Sequence, residues 1–465
     1  MSDSLRHPLP GTRPLVVGAA RSGIAAVRLL QRLGLAPRLA DRRFAAPGGE
    51  ALARELGDQG ITAACVADAP EALADRDFVV WSPGIPIDHP LACAARLAGV
   101  PVMSELELGW RASRARFVCV TGTNGKSTTT DLTGALARTV GVPVAVCGNI
   151  GTPVCDLAPT LPAAALVVAE VSSFQLETVD RLRPDVAVWL NLTPDHLDRH
   201  GDFPTYAAMK RRLFLRQGAD DVAVWNADDA EVMKRKLPDD VPTAPASRRF
   251  STRRPVEDGA FAEGGDLVMA SRGSRTRLMA VADLRLRGRH NLSNALAALC
   301  AARAVGVLDA AAREVLSRYP GLEHRLESVA TVEGVEFVND SKATNVASLE
   351  VALDSFERPV VLIAGGRDKG QDFRPLAERV RRAVAHLILI GEGAPRLAQA
   401  WSDVPTETAP TLAAAVDAAF ERARPLGAPV LLSPGCASFD MFRDFEDRGR
   451  QFKAEVERLA RAGVA

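Results

Sequence analysis

FVCVTGTNGKSTTT, residues 117–130, is the stretch on which the reading of the chain turns. Its apolar opening, Phe117-Val118-Cys119-Val120, predicts a buried strand of a parallel sheet. The chain then breaks into Thr121-Gly122-Thr123-Asn124-Gly125-Lys126-Ser127-Thr128, and a helical pattern is expected from about Thr129. Strand, glycine loop and helix start are what a triphosphate needs. Glycines let backbone N–H groups wrap the phosphates, and the helix N-terminus adds partial positive charge. Lys126 can reach the β- and γ-phosphates, and the hydroxyl of Ser127 or Thr128 can ligate Mg2+. The full G-x-x-x-x-G-K-[ST] pattern is not met, because Val120 stands at its first glycine and leaves the shorter G-x-x-G-K-S. A plain glycine turn before Lys-Ser is the bland alternative; strand and helix in register favour an ATP-handling loop.

Upstream, Pro14-Leu15-Val16-Val17 leads into Gly18-Ala19-Ala20-Arg21-Ser22-Gly23, a helical run to Leu33 and a second strand that ends at Asp41. This opens a Rossmann-like βαβ unit with an acid about twenty residues past the glycine turn. Ala20 takes the place of the middle glycine, which weakens an NAD reading and leaves a plain strand–helix turn open. Ser82-Pro83-Gly84 follows the strand Phe78-Val79-Val80 and is expected at the C-terminal edge of the same sheet, where open α/β sheets bind ligands. Arg111 to Arg116 reads as basic and loop-like, and sets the first domain at residues 1–115.

Downstream, strand after strand ends in a polar turn: Asn149 in Cys147-Gly148-Asn149, Glu170 after Leu166-Val167-Val168-Ala169, and His196 in Asn191-Leu192-Thr193-Pro194-Asp195-His196. A parallel sheet presents one site in this way. Glu170 and His196 are candidates for Mg2+ ligation or its support, though histidine suits Mg2+ poorly and one carboxylate with substrate oxygens would suffice. Each could equally be a satisfied polar group at a strand end. His200 reads as a surface residue, and Lys210, on a helical run from Tyr206 toward Phe214, as a solvated charge. Val241 to Leu286 reads as an irregular sheet segment, and an alanine-rich helix runs to about Val305. Asn291 and Asn294 share one face of its first turn, toward solvent or a nucleotide.

The last segment repeats the theme with four strands alternating with helices, 335–338, 360–364, 387–390 and 430–432. The first, second and last run into Asn339-Asp340-Ser341-Lys342-Ala343-Thr344-Asn345, Gly365-Gly366-Arg367-Asp368-Lys369-Gly370 and Ser433-Pro434-Gly435-Cys436-Ala437-Ser438. Three α/β domains in series is the expected architecture.

Taken together, TGTNGKST, GNIG, EVSSFQLE, NLTPDHLDRH, YAAMK, GRHNLSNALAA, LEHRLE, VNDSKATN, GGRDKGQDF and SPGCASFDMFRDFEDRG resemble the ATP-dependent Mur ligases of peptidoglycan synthesis, in the family's order and along nearly the whole chain. The resemblance implies a UDP-substrate-binding Rossmann-like domain (1–115), a central P-loop ATPase-type α/β domain (116–320) and a C-terminal Rossmann-like α/β domain that binds glutamate (321–465). VNDSKATN, GGRDKGQDF and SPGCASFD resemble the member that adds D-glutamate to UDP-N-acetylmuramoyl-L-alanine through an acyl phosphate, rather than those adding L-alanine, diaminopimelate or a dipeptide.

Carried over by position, Arg21, Ser22, Asp41, Arg42, Ser82 and Gly84 would hold the uridine diphosphate group. Asn149 and His196 would contact the muramoyl-alanine part, and His196 also the metal. Gly122, Thr123, Asn124, Gly125, Lys126, Ser127 and Thr128 would cradle ATP, with Asn291, Asn294, Arg325, Asp340 and Lys342 as further nucleotide contacts. Ser127, Glu170, His196 and Lys210, the last as a carbamate, would serve two Mg2+ ions, while Lys126, His196 and Lys210 act in catalysis. Thr344, Lys369, Ser438 and Phe445 would hold D-glutamate, whose two carboxylates call for a cation and several donors.

The rest of the sequence bounds the alternatives. Formal net charge is zero, with 47% apolar and 25% charged residues, so no basic field argues for nucleic acid. The seven cysteines are scattered without a C-x-x-C pair, which suggests neither a zinc site nor a disulfide framework. The opening MSDSLRHPLPGTRP lacks the apolar core of a signal peptide, and no apolar run nears the ~18 residues of a membrane span. A cytoplasmic monomer acting on small molecules is expected. Rival readings are a folylpolyglutamate synthase or another ligase of the superfamily, a P-loop transporter ATPase or nucleotide-regulated binding module, and an NAD-dependent dehydrogenase. VNDSKATN with DKGQDF opposes the first, the shortened phosphate loop and the polar turns of the last domain the second, and Ala20 the third.

Overall fold

The computed structural model describes residues 5–238, 243–271, 273–286, 288–368 and 370–462. Three sheets organise them. The first comprises β1 (Pro14–Val17), β2 (Arg38–Ala40), β3 (Ala64–Val66), β4 (Phe78–Trp81) and β5 (Val102–Ser104), all parallel, in the order β3-β2-β1-β4-β5. β1 and β4 are buried at every residue, as apolar runs with both faces covered should be. The helix Arg21–Arg32 starts inside the turn after β1, and Gly23 lies so close to it that a Cβ there would stand 1.8 Å from the Gly18 oxygen. Gly18 itself has φ +98°. Crowding by the Gly18 oxygen requires glycine at 23, and the positive φ with the nearby Ser82 side chain requires it at 18.

Of the stretch expected to be loop-like, residues 112–115 are turn and coil, and its first residue departs. Arg111 closes the helix Glu105–Arg111, all of it buried and capped by the Ser104 side chain on the Glu107 N–H. The Glu107 carboxylate pairs with Arg111 and accepts from the backbone N–H groups of Asp180, Arg181 and Leu182. The basic residue is therefore neutralised indoors instead of being solvated. The second sheet begins after this short connection, at Arg116.

That sheet contains β6 (Arg116–Thr121), β7 (Val144–Gly148), β8 (Leu166–Glu170), β9 (Val186–Trp189), β10 (Val222–Asn226), β11 (Ala246–Ser251), β12 (Gly259–Glu263), β13 (Asp266–Ser271) and β14 (Ser274–Ala280). Its order is β14-β13-β12-β11-β10-β9-β6-β8-β7, parallel from β7 to β12 and antiparallel in the last two pairings. The segment expected to be irregular thus extends the sheet, with one register shift between Leu267 and Val268. Beneath it, Trp189, Phe214 and Trp225 stack at 5.7 and 4.4 Å between ring centroids. The first two sheets, with residues 293–317, form one compact unit.

Residues 284–292 and 318–465 cluster as the second unit. Its sheet has six strands rather than the four expected: β15 (Glu327–Val332), β16 (Val335–Asn339), β17 (Val360–Gly365), β18 (Val384–Ile390), β19 (Thr406–Thr408) and β20 (Val430–Leu432). β15 is a half-exposed antiparallel edge and β19 a three-residue polar one, so neither carries the apolar run that betrays a central strand. The order β15-β16-β20-β17-β18-β19 puts β20 between β16 and β17, and their three polar turns therefore meet at one edge.

Candidate active site

In the first sheet, the C-terminal ends of β2, β1 and β4 are neighbours and open a cleft of about 570 Å3. Arg21, Ser22, Asp41, Arg42, Ser82, Gly84 and Asn149 all line it, although they come from four separate stretches of sequence. Asp41 is already engaged. It accepts from the Ala19 N–H at 2.7 Å and pairs with Arg43, and these bonds hold its carboxyl down at about 2 against the cost of burial. Arg43, Asp68 and His89 also line the cleft and were missed in the sequence, where nothing marks them off from surface charges.

In the second sheet β6 lies between β8 and β9, which gathers the phosphate loop, Glu170 and the Asn191 turn. The helix Lys126–Ala137 begins three residues earlier than the periodicity suggests, because Gly125 caps it with φ +81°. Space also requires glycine there: a Cβ would stand 2.3 Å from Asn294 Oδ1. Asn191, not singled out in the sequence, fixes the loop. Its side-chain oxygen accepts from the N–H groups of Thr123 and Asn124 at 3.0 and 2.8 Å, and its amide donates to the Asn124 oxygen at 2.9 Å. Lys126 Nζ donates to the loop oxygens of Gly122 and Thr123.

Lys210 is not solvated; it is 1% exposed. The helix Phe203–Arg211 points its Nζ at the Gly122 oxygen, 2.7 Å away, and across the Tyr206 ring. Burial, reinforced by the nearby Lys126 charge, pulls the amine well below the usual lysine range. Glu170 is 2% exposed; Oε1 accepts from Asn149 Nδ2 at 2.8 Å, while Oε2 is buried without a hydrogen-bond partner. His196 is half exposed, held at φ +52° against the Phe174 ring. His200 corrects its expectation. Its side chain is buried between Phe174 and Tyr206, with Nε2 3.0 Å from Ser173 Oγ and Nδ1 3.6 Å from Glu177. Partners at both ring nitrogens and two aromatic rings around it let the imidazole be buried.

Among the described residues, no three His, Cys, Asp or Glu side chains gather as a metal cage. The orphaned Glu170 oxygen beside a hydroxyl-bearing loop does fit Mg2+, which keeps waters and binds through one or two carboxylates plus phosphate oxygens.

In the second unit, Asp340 is 2% exposed, bonded by the Ser433 hydroxyl and the Leu326 N–H. Burial pushes its carboxyl up to about 6, moderated by Arg325. Lys342 Nζ lies 5.7 Å over the Phe445 ring. The three turns are laced by backbone bonds: Gly435 N–H to the Ala343 oxygen, Gly365 N–H to the Pro434 oxygen, and a two-way pair between Arg367 and Ala437. Thr344 and Ser438 sit on these laced turns, Ser438 fully buried. Lys369 lies outside the described residues. Asn291 and Asn294 are each 5% exposed on the helix Arg289–Ala304.

Residues 12–104 match the family described as Mur ligase MurD-like, N-terminal domain, residues 120–302 the Mur ligase middle domain, and residues 324–436 the Mur ligase, glutamate ligase domain. The chain is 40% identical to the UDP-N-acetylmuramoylalanine--D-glutamate ligase of Koribacter versatilis, across 97% of this chain and 98% of that protein. It is 42% identical to the ligase of that name from Pelotomaculum thermopropionicum, across 95% and 96%. Among solved structures it resembles the UDP-N-acetylmuramate-alanine ligase of Thermotoga maritima, with a TM-score of 0.58 at 17% identity, covering 97% of this chain and all of that one.

Proposed function

The chain belongs to the Mur ligase family, and from that premise we infer that it joins D-glutamate to UDP-N-acetylmuramoyl-L-alanine using ATP, a step of peptidoglycan synthesis. What carries the reading is identity of 40% or more, over nearly the full length, to ligases named for that reaction.

The three domains, taken as 1–115, 116–320 and 321–465, divide the work. In the first, Arg21, Ser22, Arg42, Ser82 and Gly84 bind the uridine diphosphate group, with Asp41 holding the glycine turn in shape for them. In the second, the loop from Gly122 to Thr128 takes the ATP phosphates on its N–H groups, and Lys126 is the cation within reach. Ser127, Glu170 and a carbamate on Lys210 would hold Mg2+, with His196 nearby; when bound, the metal neutralises charge on the transferred phosphoryl group. An uncharged, buried amine is the form of lysine that adds CO2, and the environment of Lys210 supports that modification. In the third, Thr344, Lys369, Ser438 and Phe445 receive D-glutamate, and Asn291, Asn294, Arg325, Asp340 and Lys342 complete the nucleotide contacts.

The reaction that follows is in-line transfer of the γ-phosphoryl group to the substrate carboxylate, then attack of the glutamate nitrogen on the acyl phosphate with loss of phosphate. His196 positions the acyl group for the second step. The reading also takes the chain to be a cytoplasmic monomer; among the described residues no helix is long and apolar enough to cross a membrane.

Phosphate release tests this directly. With ATP, Mg2+ and UDP-N-acetylmuramoyl-L-alanine, release is expected on adding D-glutamate and not on adding L-glutamate or L-alanine. Release driven by another amino acid, or by none, would overturn the assignment.

A further inference from the structure

One arginine of the central sheet reaches a turn of the first. Arg199, in the short helix Leu197–His200, forks onto Glu177, with Nε 3.0 Å from Oε1 and Nη2 2.6 Å from Oε2. Their side chains are 11% and 6% exposed, and the guanidinium lies 4.9 Å over the Phe174 ring. The same Nη2 donates to the backbone oxygen of Ile85 at 2.9 Å, across 114 residues of chain. That oxygen also accepts from Trp81 Nε1, and the Ile85 N–H returns to the Ser82 oxygen. Arg199 thus grips, from the central sheet, the turn 82–85 that forms one wall of the cleft. On the other side His200 stands 3.6 Å from Glu177 and packs on Tyr206, whose hydroxyl lies 3.0 Å from Thr123 Oγ1 of the phosphate loop.

We propose that Arg199 is a positioning residue for the UDP-linked substrate, fixing the turn 82–85 to the central domain through its fork on Glu177. The inference rests on the reading that this cleft takes uridine diphosphate. A planar fork can hold a carboxylate with two N–H groups and still donate to a carbonyl; a lysine ammonium cannot reproduce that geometry. Stability alone does not require the pair, since well-packed apolar residues in place of a buried ion pair are commonly neutral or stabilising.

The test is calorimetric titration of the full chain with UDP and, separately, with a non-hydrolysable ATP analogue. Arg199→Lys keeps a charge beside Glu177, and the double variant Arg199→Met/Glu177→Leu removes both charges and leaves none stranded. Both are expected to weaken UDP about fivefold to tenfold while the ATP analogue changes by less than about twofold. A double variant with wild-type UDP affinity, or one that loses both ligands equally, would overturn the inference. A wild-type chain that binds no UDP would overturn the assignment of the cleft, and the inference with it.

Discussion

Lys210 carries the largest difference between what its sequence position suggests and what it does. A lysine on an amphipathic helix is ordinarily solvated, yet this one is buried against a loop carbonyl and an aromatic face. Lys210→Ala should lower kcat about 10²-fold or more, the scale of losing one preorganised electrostatic group, without lowering the melting temperature. Steady-state kinetics beside a melt would show this, and an equal loss of both would assign the residue to folding alone. Glu105 offers a second test. It is 2% exposed, accepts from the Cys155 N–H, and burial pushes its carboxyl up to about 7. Because the folded value lies above the unfolded one of about 4.3, folding is favoured by protonation. The contribution is complete below the unfolded value and is lost as pH rises through 7, by roughly 4 kcal/mol in all. Glu105→Gln, which keeps the acceptor, should flatten that stretch of the stability profile and melt higher than wild type at pH 8.

Elements explain why the motifs work. The helix Lys126–Ala137 can begin inside the phosphate loop only because Gly125 adopts a left-handed conformation with no Cβ against Asn294. Gly125→Ala must therefore strain the backbone and displace that side chain, at a cost of about 1–3 kcal/mol, and should weaken ATP binding more than UDP binding. Chemical denaturation and nucleotide titration would measure the two effects. The linker helix Glu105–Arg111 depends in the same way on Glu107, fully buried and bonded by three N–H groups and Arg111. Glu107→Ala leaves Arg111 to its 3.6 Å pair with Asp180 and takes the acceptor from three backbone N–H groups, and should cost about 3–5 kcal/mol, seen as a lower denaturation midpoint. Both features were half legible. Glycine at 125 belongs to a motif, whereas Glu107 reads as one more helix acid until its partners at 180–182 are known.

At the scale of the whole molecule, three sheets each present polar turns at their C-terminal edges, and the proposed substrates divide among them. Ser438→Ala and Thr344→Ala should raise KM for D-glutamate about tenfold, the price of one or two hydrogen bonds to a charged ligand, and leave UDP affinity unchanged. Parallel changes in both ligands would contradict separate sites. The sequence by itself determined the central strands and most helices, the phosphate loop, the family and the candidates for the site. Those features are local: apolar runs, glycines at turns and residue types at set spacings act within a few positions of one another. Only the tertiary structure decided which strand ends are neighbours, such as β20 between β16 and β17, and so which turns share an edge. It also decided the burial of Lys210 and His200, the grip of Asn191 on the phosphate loop and the reach of Arg199 to Ile85. Each of these depends on packing between residues far apart in the chain, and no local period or spacing encodes the strand order that brings them together.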